Sequence, residues 1–426
     1  MLAMHPSMDM VLGFSIIYFL LVVYLRSRCW KDPTSKFFQT QPAHIPTYSA
    51  HRIQQSLQYA DSLNTSRPSQ GRRRQPPELC VGVPSVQRDG ISYLKPTLGS
   101  LQHGLSEDER AGLHFVVLLA HLDQKEHQDF GQPWLQSMAD GLPSYADDAG
   151  RLHLAQIMQH NQTHGTKSKF DYSIVMEECT KTGAPYILMV EDDVVFLDGW
   201  RHRTMDALDD AAAKSRETKG AGFLYLRLFY YEGLLGWNAQ SWPRYLGASL
   251  ATAASVLCVL LLTRRLVPTA RLHLTRSALL LITLVFTPLL ILLFFAAGAN
   301  CVLPRPAGVH LMPENACCGQ GLVFPRATVT EKLLPYFRAN IWSEVPTDSF
   351  VEAYADQTGG LRWALTPVVM QHIGGKSSHG AARSRDSYVY GDLTLTPPSV
   401  IWNFAFEGNE ARALGEEKER LVEGSR

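Results

Sequence analysis

The sequence predicts an α/β protein with a mainly parallel sheet, held to a membrane at its N-terminus and again by an apolar hairpin inside the chain. Three observations carry this. Short β-type apolar runs alternate with helical stretches from residue 78 onward, the pattern of a sheet built from βαβ units. Met10 to Leu25 is a nearly uninterrupted apolar run. About Tyr245 to Leu303 holds two more such runs, separated by a loop with Arg264, Arg265, Arg271 and Arg276 and no acid. The 426 residues suffice for one large domain or two ordinary ones. Lys plus Arg and Asp plus Glu balance at 40 each, so no global field favours nucleic acid or an acidic partner.

The elements follow in order. Residues 1–9 read as a cytoplasmic tail and 10–25 as an uncleaved anchor. The anchor run is a little short of the roughly 20 residues that span a bilayer, and it lacks the small-residue cleavage site of a signal peptide. Residues 26–77, rich in Gln, Ser, Pro and Arg, read as a lumenal stem, with an amphipathic helix near His51–Leu63. Residues 78–244 and 304–410 read as two parts of one catalytic domain, 245–303 as the inserted hairpin, and 411–426 as a polar tail. The four-Arg loop puts the hairpin tip in the cytoplasm by the positive-inside rule, and the polar bulk on the other side. Arg26, Arg28 and Lys31 argue locally against that orientation, but the hairpin loop is the stronger signal. Asn64-Thr65-Ser66 and Asn161-Gln162-Thr163 are glycan acceptor triplets that fit a lumenal catalytic domain. Of seven cysteines, Cys258 lies inside the hairpin, and the odd number leaves at least one thiol outside any internal pairing.

Within the catalytic parts, Glu78 to Arg88 is a strand breaking into a Pro/Ser turn, Tyr93 to Leu101 a helix, and His114–Leu119 a strand leading to Asp123. A helix covers about Asp171 to Thr182, strand Tyr186–Val190 follows, and Gly222–Leu228 is a further apolar run. After the hairpin come a strand within Cys317–Pro325, a helix at Thr328–Phe337, and the run Thr366–Gly375. The central stretch is Glu191-Asp192-Asp193, three carboxylates at the end of a buried strand. Adjacent acids repel and resist burial, and a hard divalent cation compensates them well. The bland alternative is a solvated acidic turn. In α/β sheets ligands gather at the carboxyl ends of strands, so Pro84–Arg88, Asp123 and the acidic triplet would face one crevice. Asp348 fits either a helix cap or a general base, and a lone His372 fits either a structural role or a ligand.

Lys169-Phe170-Asp171-Tyr172 followed by Tyr186 to Val194 resembles the core of metal-dependent GT-A glycosyltransferases. Val81-Gly82-Val83-Pro84-Ser85-Val86 with Arg88, and Gln371-His372-Ile373-Gly374 with Ser377-Ser378, are similar to N-acetylglucosaminyltransferase IV enzymes. The inserted hairpin, and Ile401-Trp402-Asn403-Phe404 with Phe406-Glu407, resemble the post-GPI-attachment factors that add N-acetylgalactosamine to GPI anchors in the Golgi. The resemblance implies a GT-A-like, Rossmann-type mixed sheet carrying the anchor and hairpin. It implies a metal-dependent, inverting transferase that moves N-acetylgalactosamine from UDP-GalNAc to the core mannose of GPI anchors at the lumenal face of the Golgi membrane.

On that basis Asp193 and His372 would hold Mn²⁺ or Mg²⁺, with Glu191 and Asp192 acting through ribose or water. Pro84, Ser85, Arg88, Asp123, Lys169 and Asp171 would bind the donor. Asp348 would be the base, with Glu352 second and Glu232 a remote third. Alternatives remain open at this level: an N-acetylglucosaminyltransferase acting on N-glycans, a glycosidase with paired carboxylates, a non-catalytic membrane scaffold, or a hairpin that is a buried core pair. The topology is checked by glycan mapping. A glycan on Asn64 or Asn161 is expected, and a cytoplasmic Asn161 would overturn it.

Overall fold

The computed structural model describes residues 6–63, 76–88, 90–161, 164–219, 222–312, 318–375, 388–390, 393–395 and 401–424. These form two compact units, one of residues 1–43 and 232–305, the other of residues 44–231 and 306–426. The acceptor triplet at Asn64 and the Lys376-Ser377-Ser378-His379 loop lie outside the described residues, as do Gln162 and Thr163 of the second triplet.

The first unit contains three helices long and apolar enough to cross a membrane, Met8–Arg28, Glu232–Leu266 and Arg276–Ala297. The N-terminal helix, Pro6–Arg28, is longer than the apolar run, because the helix continues through the polar residues at both ends. Pro288 is accommodated in the third span by a turn of π-helix at Ile282–Phe286, which relieves the missing backbone donor. The feet of the spans meet at Asp32. Its carboxylate accepts from Thr34 N–H at 2.8 Å, Cys301 N–H at 2.8 Å and Asn300 Nδ2 at 3.2 Å. Cys29 and Cys301 form a disulfide beside it. The end of the first span and the end of the third are therefore on one side, together with Arg26 and Arg28. Cys258 is a free thiol.

The second unit is built on a seven-stranded sheet in the order β2-β1-β3-β7-β5-β8-β6. Its strands are β1 Leu79–Ser85, β2 Leu113–Leu119, β3 Tyr186–Val190, β5 Phe223–Arg227, β6 Gly308–Leu311, β7 Gly321–Pro325 and β8 Leu361–Thr366. A separate two-stranded sheet pairs β4, Val194–Phe196, with β9, Met370–His372. Five strands of the large sheet run one way, while β7 and β6 run against them. The sheet is thus mainly parallel, as expected, with two strands that run against the rest. The departure comes from β7, which enters from the far side of the hairpin and zips antiparallel between β3 and β5. Val81, Val83, Phe115, Val117, Leu188 and Val190 are buried, as near-continuous apolar runs in a sheet covered on both faces require.

Helices α1 Tyr48–Leu63, α2 Leu94–Gln102, α3 His164–Lys181, α4 Trp200–Glu217 and α5 Thr347–Thr358 complete the parts that matter here. Cys80–Cys179 staples β1 to α3. The stem expectation needs correction at α1. This helix is no linker, because Ile53 and Ala60 are buried and Arg52 is fully so. Arg52 donates from Nε to the Phe196 carbonyl at 2.9 Å and from Nη2 to the Ser100 carbonyl at 3.0 Å. An amphipathic pattern with a charged residue on its apolar face hides such packing from a sequence reading. The polar C-terminal stretch is likewise a helix, Ala411–Gly424, with Leu414 buried and Glu417 paired with Arg203 at 2.5 Å. Replacing Arg52 with Met keeps most of its stem but strands two buried carbonyls. A loss of about 1–3 kcal/mol per stranded group is expected, read as a lowered thermal-unfolding midpoint of the purified protein.

Candidate active site

The site is assembled by strand ends and one antiparallel pair. β3 delivers Glu191 immediately after Val190, and the Glu191 N–H is held by the Gln320 carbonyl at 3.0 Å. The chain then turns through Asp192 and Asp193 into β4. Thr97 of α2 fixes this turn. Its hydroxyl lies 2.8 Å from the carbonyls of Asp192 and Val194 and accepts from the Val194 N–H at 3.2 Å. In the β4–β9 pair Val194 stands opposite His372, and Ile373 N–H donates to the Asp193 carbonyl at 2.9 Å. The register therefore sets the His372 ring against the Asp193 carboxylate, with Nε2 3.3 Å from Oδ2.

Gln371, the residue before the histidine, is pinned in turn. Its side chain donates to the Asn403 carbonyl at 2.8 Å and to Glu407 at 2.9 Å, and accepts from the Asn403 N–H at 2.9 Å. Glu407 also takes the N–H groups of Thr47 and Ser49 at the start of α1. This gives the C-terminal Trp402–Glu407 motif its physical role: it orients β9.

Glu191, Asp193 and His372 place one potential ligand atom each within 4.8 Å of one another. Asp193 and His372 are 7% and 8% exposed. Asp193 Oδ1 and His372 Nδ1 are both buried with no hydrogen-bond partner among the described residues. Burial would raise the Asp193 carboxyl, but His372 and Arg88 outweigh it and hold it well below the carboxylate range. Burial would lower His372, and Asp193 reverses the sign. Burial, with the charges of Asp193 and Asp348, pushes Glu191 up to about 7. The cluster thus carries more negative charge than its protein partners balance. Gly374 permits the close approach, because a Cβ there would collide with the Asp193 carboxylate.

The predicted residues divide into those the fold brings together and those it employs elsewhere. Ser85 and Arg88, from the end of β1, reach the acidic turn: Ser85 Oγ donates to Asp192 at 2.5 Å, and Arg88 Nη2 to Asp192 at 2.7 Å and to Asp193 at 3.1 Å. Pro84 precedes them in β1. Asp348 borders the triad, since Gly319 fits between it and Glu191, its Cβ position lying 3.2 Å from Asp348 Cβ and 3.6 Å from Glu191 Oε1.

Asp348 is not the helix cap. Pro346 holds that place without a side-chain bond, and Asp348 sits inside the first turn of α5, where the N–H of Ser349 reaches it at 2.6 Å and the helix dipole favours a carboxylate. Glu352 is corrected: it is tied to Arg227, to Arg362 at 2.9 Å and to the Tyr225 hydroxyl, which leaves it no role as a base. Glu232 belongs to the membrane unit.

The other three residues expected at the donor site have structural partners of their own. Lys169 donates to the carbonyls of Gly165, Ser343 and Val345, so it buttresses the loop before α5. Asp171 is buried against Tyr145 and Lys167. Asp123 is exposed and caps a short 3₁₀ turn through the Lys125 N–H at 3.0 Å.

Sequence reasoning missed two features. Glu191 joins Asp193 and His372, while Asp192 faces the other way, toward Arg88; strand alternation across the turn was the available signal. Tyr172, next to Asp171, carries a buried hydroxyl without a partner among the described residues, and its ionisation is opposed first by burial and then by Glu191 and Asp348.

Comparison with known proteins now adds to this geometry. A family model described as GPI-N-acetylgalactosamine transferase PGAP4 matches residues 79–371. The chain belongs to this family. It is also similar to the alpha-1,3-mannosyl-glycoprotein 4-beta-N-acetylglucosaminyltransferase B of Danio rerio, at 28% identity over 191 residues, 39% of this chain and 32% of that protein. The match therefore spans about a third of the length of that relative. The family match contains β1, the acidic turn, the whole hairpin and Gln371, and it stops one residue before His372.

The tightness of the Gly374 approach gives a direct check. Gly374→Ala should displace the Asp193 carboxylate and lower activity about 10–100-fold. The fold should be retained, as read by an unchanged thermal-unfolding midpoint.

Proposed function

We propose that this protein is a metal-dependent, inverting glycosyltransferase of the GT-A type. It transfers N-acetylgalactosamine from UDP-GalNAc to the core mannose of a GPI anchor, with its catalytic unit on the lumenal side of the Golgi membrane. The observation that carries the reading is the meeting of Glu191, Asp193 and His372 beside Asp348 in a member of this family.

The donor set suits a hard divalent cation, with Mn²⁺ favoured over Mg²⁺ by the imidazole. The orphaned Asp193 Oδ1 and His372 Nδ1, and the burial and neighbouring carboxylates that raise Glu191, fit such an ion. Asp193, His372 and Glu191 would hold it. When bound, it supplies the Lewis acidity that neutralises the leaving diphosphate.

The protein's own residues do the rest. Arg88 adds positive charge on the β1 side of the acidic turn. Asp348 takes the proton from the acceptor hydroxyl as that oxygen bonds to the anomeric carbon. The bond from the anomeric carbon to the diphosphate oxygen breaks, and the nucleoside diphosphate leaves with the electron pair. Attack opposite the leaving group inverts the centre.

A lipid-anchored acceptor explains the connectivity. The chain passes between catalytic and membrane units three times, after Ala43, Tyr231 and Arg305, which a soluble acceptor would not require. The Cys29–Cys301 and Cys80–Cys179 disulfides support an oxidising compartment for the domain. Transfer to the N-glycan acceptor named for the fish relative is the second reading, and it rests on the 28% identity.

The test is a donor and acceptor screen with purified protein. Release of UDP and labelling of a GPI-type acceptor are expected with Mn²⁺ and not with chelator. Asp193→Ala should abolish transfer in a folded protein. Asp348→Asn should lower kcat by about 10²–10⁴-fold with little change in donor KM. Metal-independent hydrolysis, full activity of Asp193→Ala, or labelling of N-glycans alone would reject the proposal.

A further inference from the structure

Asp192 is the member of the acidic turn that takes no part in the triad, and its surroundings are unusually complete. One carboxylate oxygen accepts from Arg88 Nη2 at 2.7 Å and the other from Ser85 Oγ at 2.5 Å. Behind Ser85 stands His127, with Nε2 3.1 Å from Oγ. The N–H of Asp129 donates to His127 Nδ1 at 3.2 Å. That bond makes Nδ1 an acceptor and leaves the ring proton on Nε2. The donors then run one way: His127 Nε2–H to Ser85, and Ser85 O–H to Asp192. Ser85 and His127 are each 1% exposed, Asp192 4% and Arg88 7%. Burial first, then the neighbouring His121 and Arg88 charges, push His127 down to about 4, so the ring in this relay is neutral.

Arg88 is the far end. Its Nη2 is shared between Asp192 and Asp193, and its cation lies 5.2 Å from the Tyr93 ring centroid. Its Nε and Nη1 are buried with no partner among the described residues. Unused donors on a buried guanidinium are costly unless a ligand takes them. Nε and Nη1 lie on different edges of the guanidinium, so the free Nη1 offers charge-assisted single hydrogen bonds of the kind an anionic phosphate oxygen accepts well.

We propose that His127 and Ser85 are positioning residues, a relay that fixes Asp192 so that Arg88 presents Nη1 to the diphosphate of the bound donor. This rests on the transferase reading above. With the relay cut, Asp192 is free to turn, and Arg88 is drawn onto Asp193, where it competes with a cation for the same carboxylate.

The experiment uses the full-length protein in detergent, with UDP as the probe, in calorimetric titrations with Mn²⁺ and in steady-state kinetics. His127→Ala and Ser85→Ala should each weaken UDP binding and raise the donor KM by about 10–100-fold, the range for removed supporting hydrogen bonds. The acceptor KM should not change. His127→Gln, whose terminal amide can donate as Nε2–H does, should recover most of the affinity. The double variant His127→Ala/Ser85→Ala should be no worse than the weaker single one, because both cut the same chain.

Ser85→Ala removes a single oxygen, so it keeps the test open should His127→Ala fail to fold. Unchanged UDP affinity in Ser85→Ala, or His127→Gln as impaired as His127→Ala, overturns the relay while leaving the transferase reading intact. Failure of the unaltered protein to bind any nucleoside diphosphate overturns the transferase reading, and the relay with it.

Discussion

The polar interior of the catalytic unit is organised by the charge of Asp193. A carboxylate that is 7% exposed is stable only if positive charge is brought to it. The fold brings two such groups from opposite directions. Arg88 comes from the end of β1, at 3.1 Å, and His372 comes from the second strand of a two-stranded ribbon, at 3.3 Å. Each then needs its own support. Arg88 is steadied by Asp192, and His372 is set by the β4–β9 register and by the Gln371, Asn403 and Glu407 network. Much of what surrounds the sheet ends serves to hold these two side chains in place.

The balance stays incomplete. Glu191 and Asp348 add two more carboxylates to the same corner, and burial first, then the charges of Asp193 and Asp348, oppose the ionisation of Glu191. A corner left deficient in positive charge is the feature on which the proposal of a bound cation rests, and perturbed ionisation of this kind is common at functional sites. Tyr172 fits this picture, since its buried hydroxyl also lacks a partner among the described residues, beside the same charges. Nearby, Glu352 is tied to both Arg227 and Arg362.

What could be read from the sequence follows physical locality. Strands β1, β2, β3 and β5 were legible because each is a short apolar run bounded by turn residues, and Tyr186–Val190 emerged with its bounds intact. The acidic turn was legible because three adjacent acids after a buried strand are chemically conspicuous. The antiparallel entry of β7 was not, since direction depends on which edge remains open after the hairpin.

The roles of Lys169, Asp171 and Glu352 were misjudged for a related reason. A charged side chain in a suggestive motif looks the same whether it faces a ligand or a backbone carbonyl, and only the fold supplies the carbonyls of Ser343 and Val345. Arg52 is the converse case. A basic residue in a polar stretch reads as solvated surface, yet it closes the end of β4 from within.

The position of β7 has a consequence for how the protein is made. Strands β3 and β5 do not touch each other; β7 lies between them, and β7 is encoded after the membrane hairpin. His372 comes later still. During synthesis the first three strands can pair, but β5 has nothing to join until the two apolar spans have been translated and the chain has returned. Contacts of such long sequence separation form late and slowly. If these spans cross a membrane, a chain in which only one of the two inserts would deliver β7 and β9 to the side opposite the earlier strands. It would then lack both the sheet's centre and half of its charged cluster. The completeness of the sheet and of the charged cluster would then depend on both spans being threaded together.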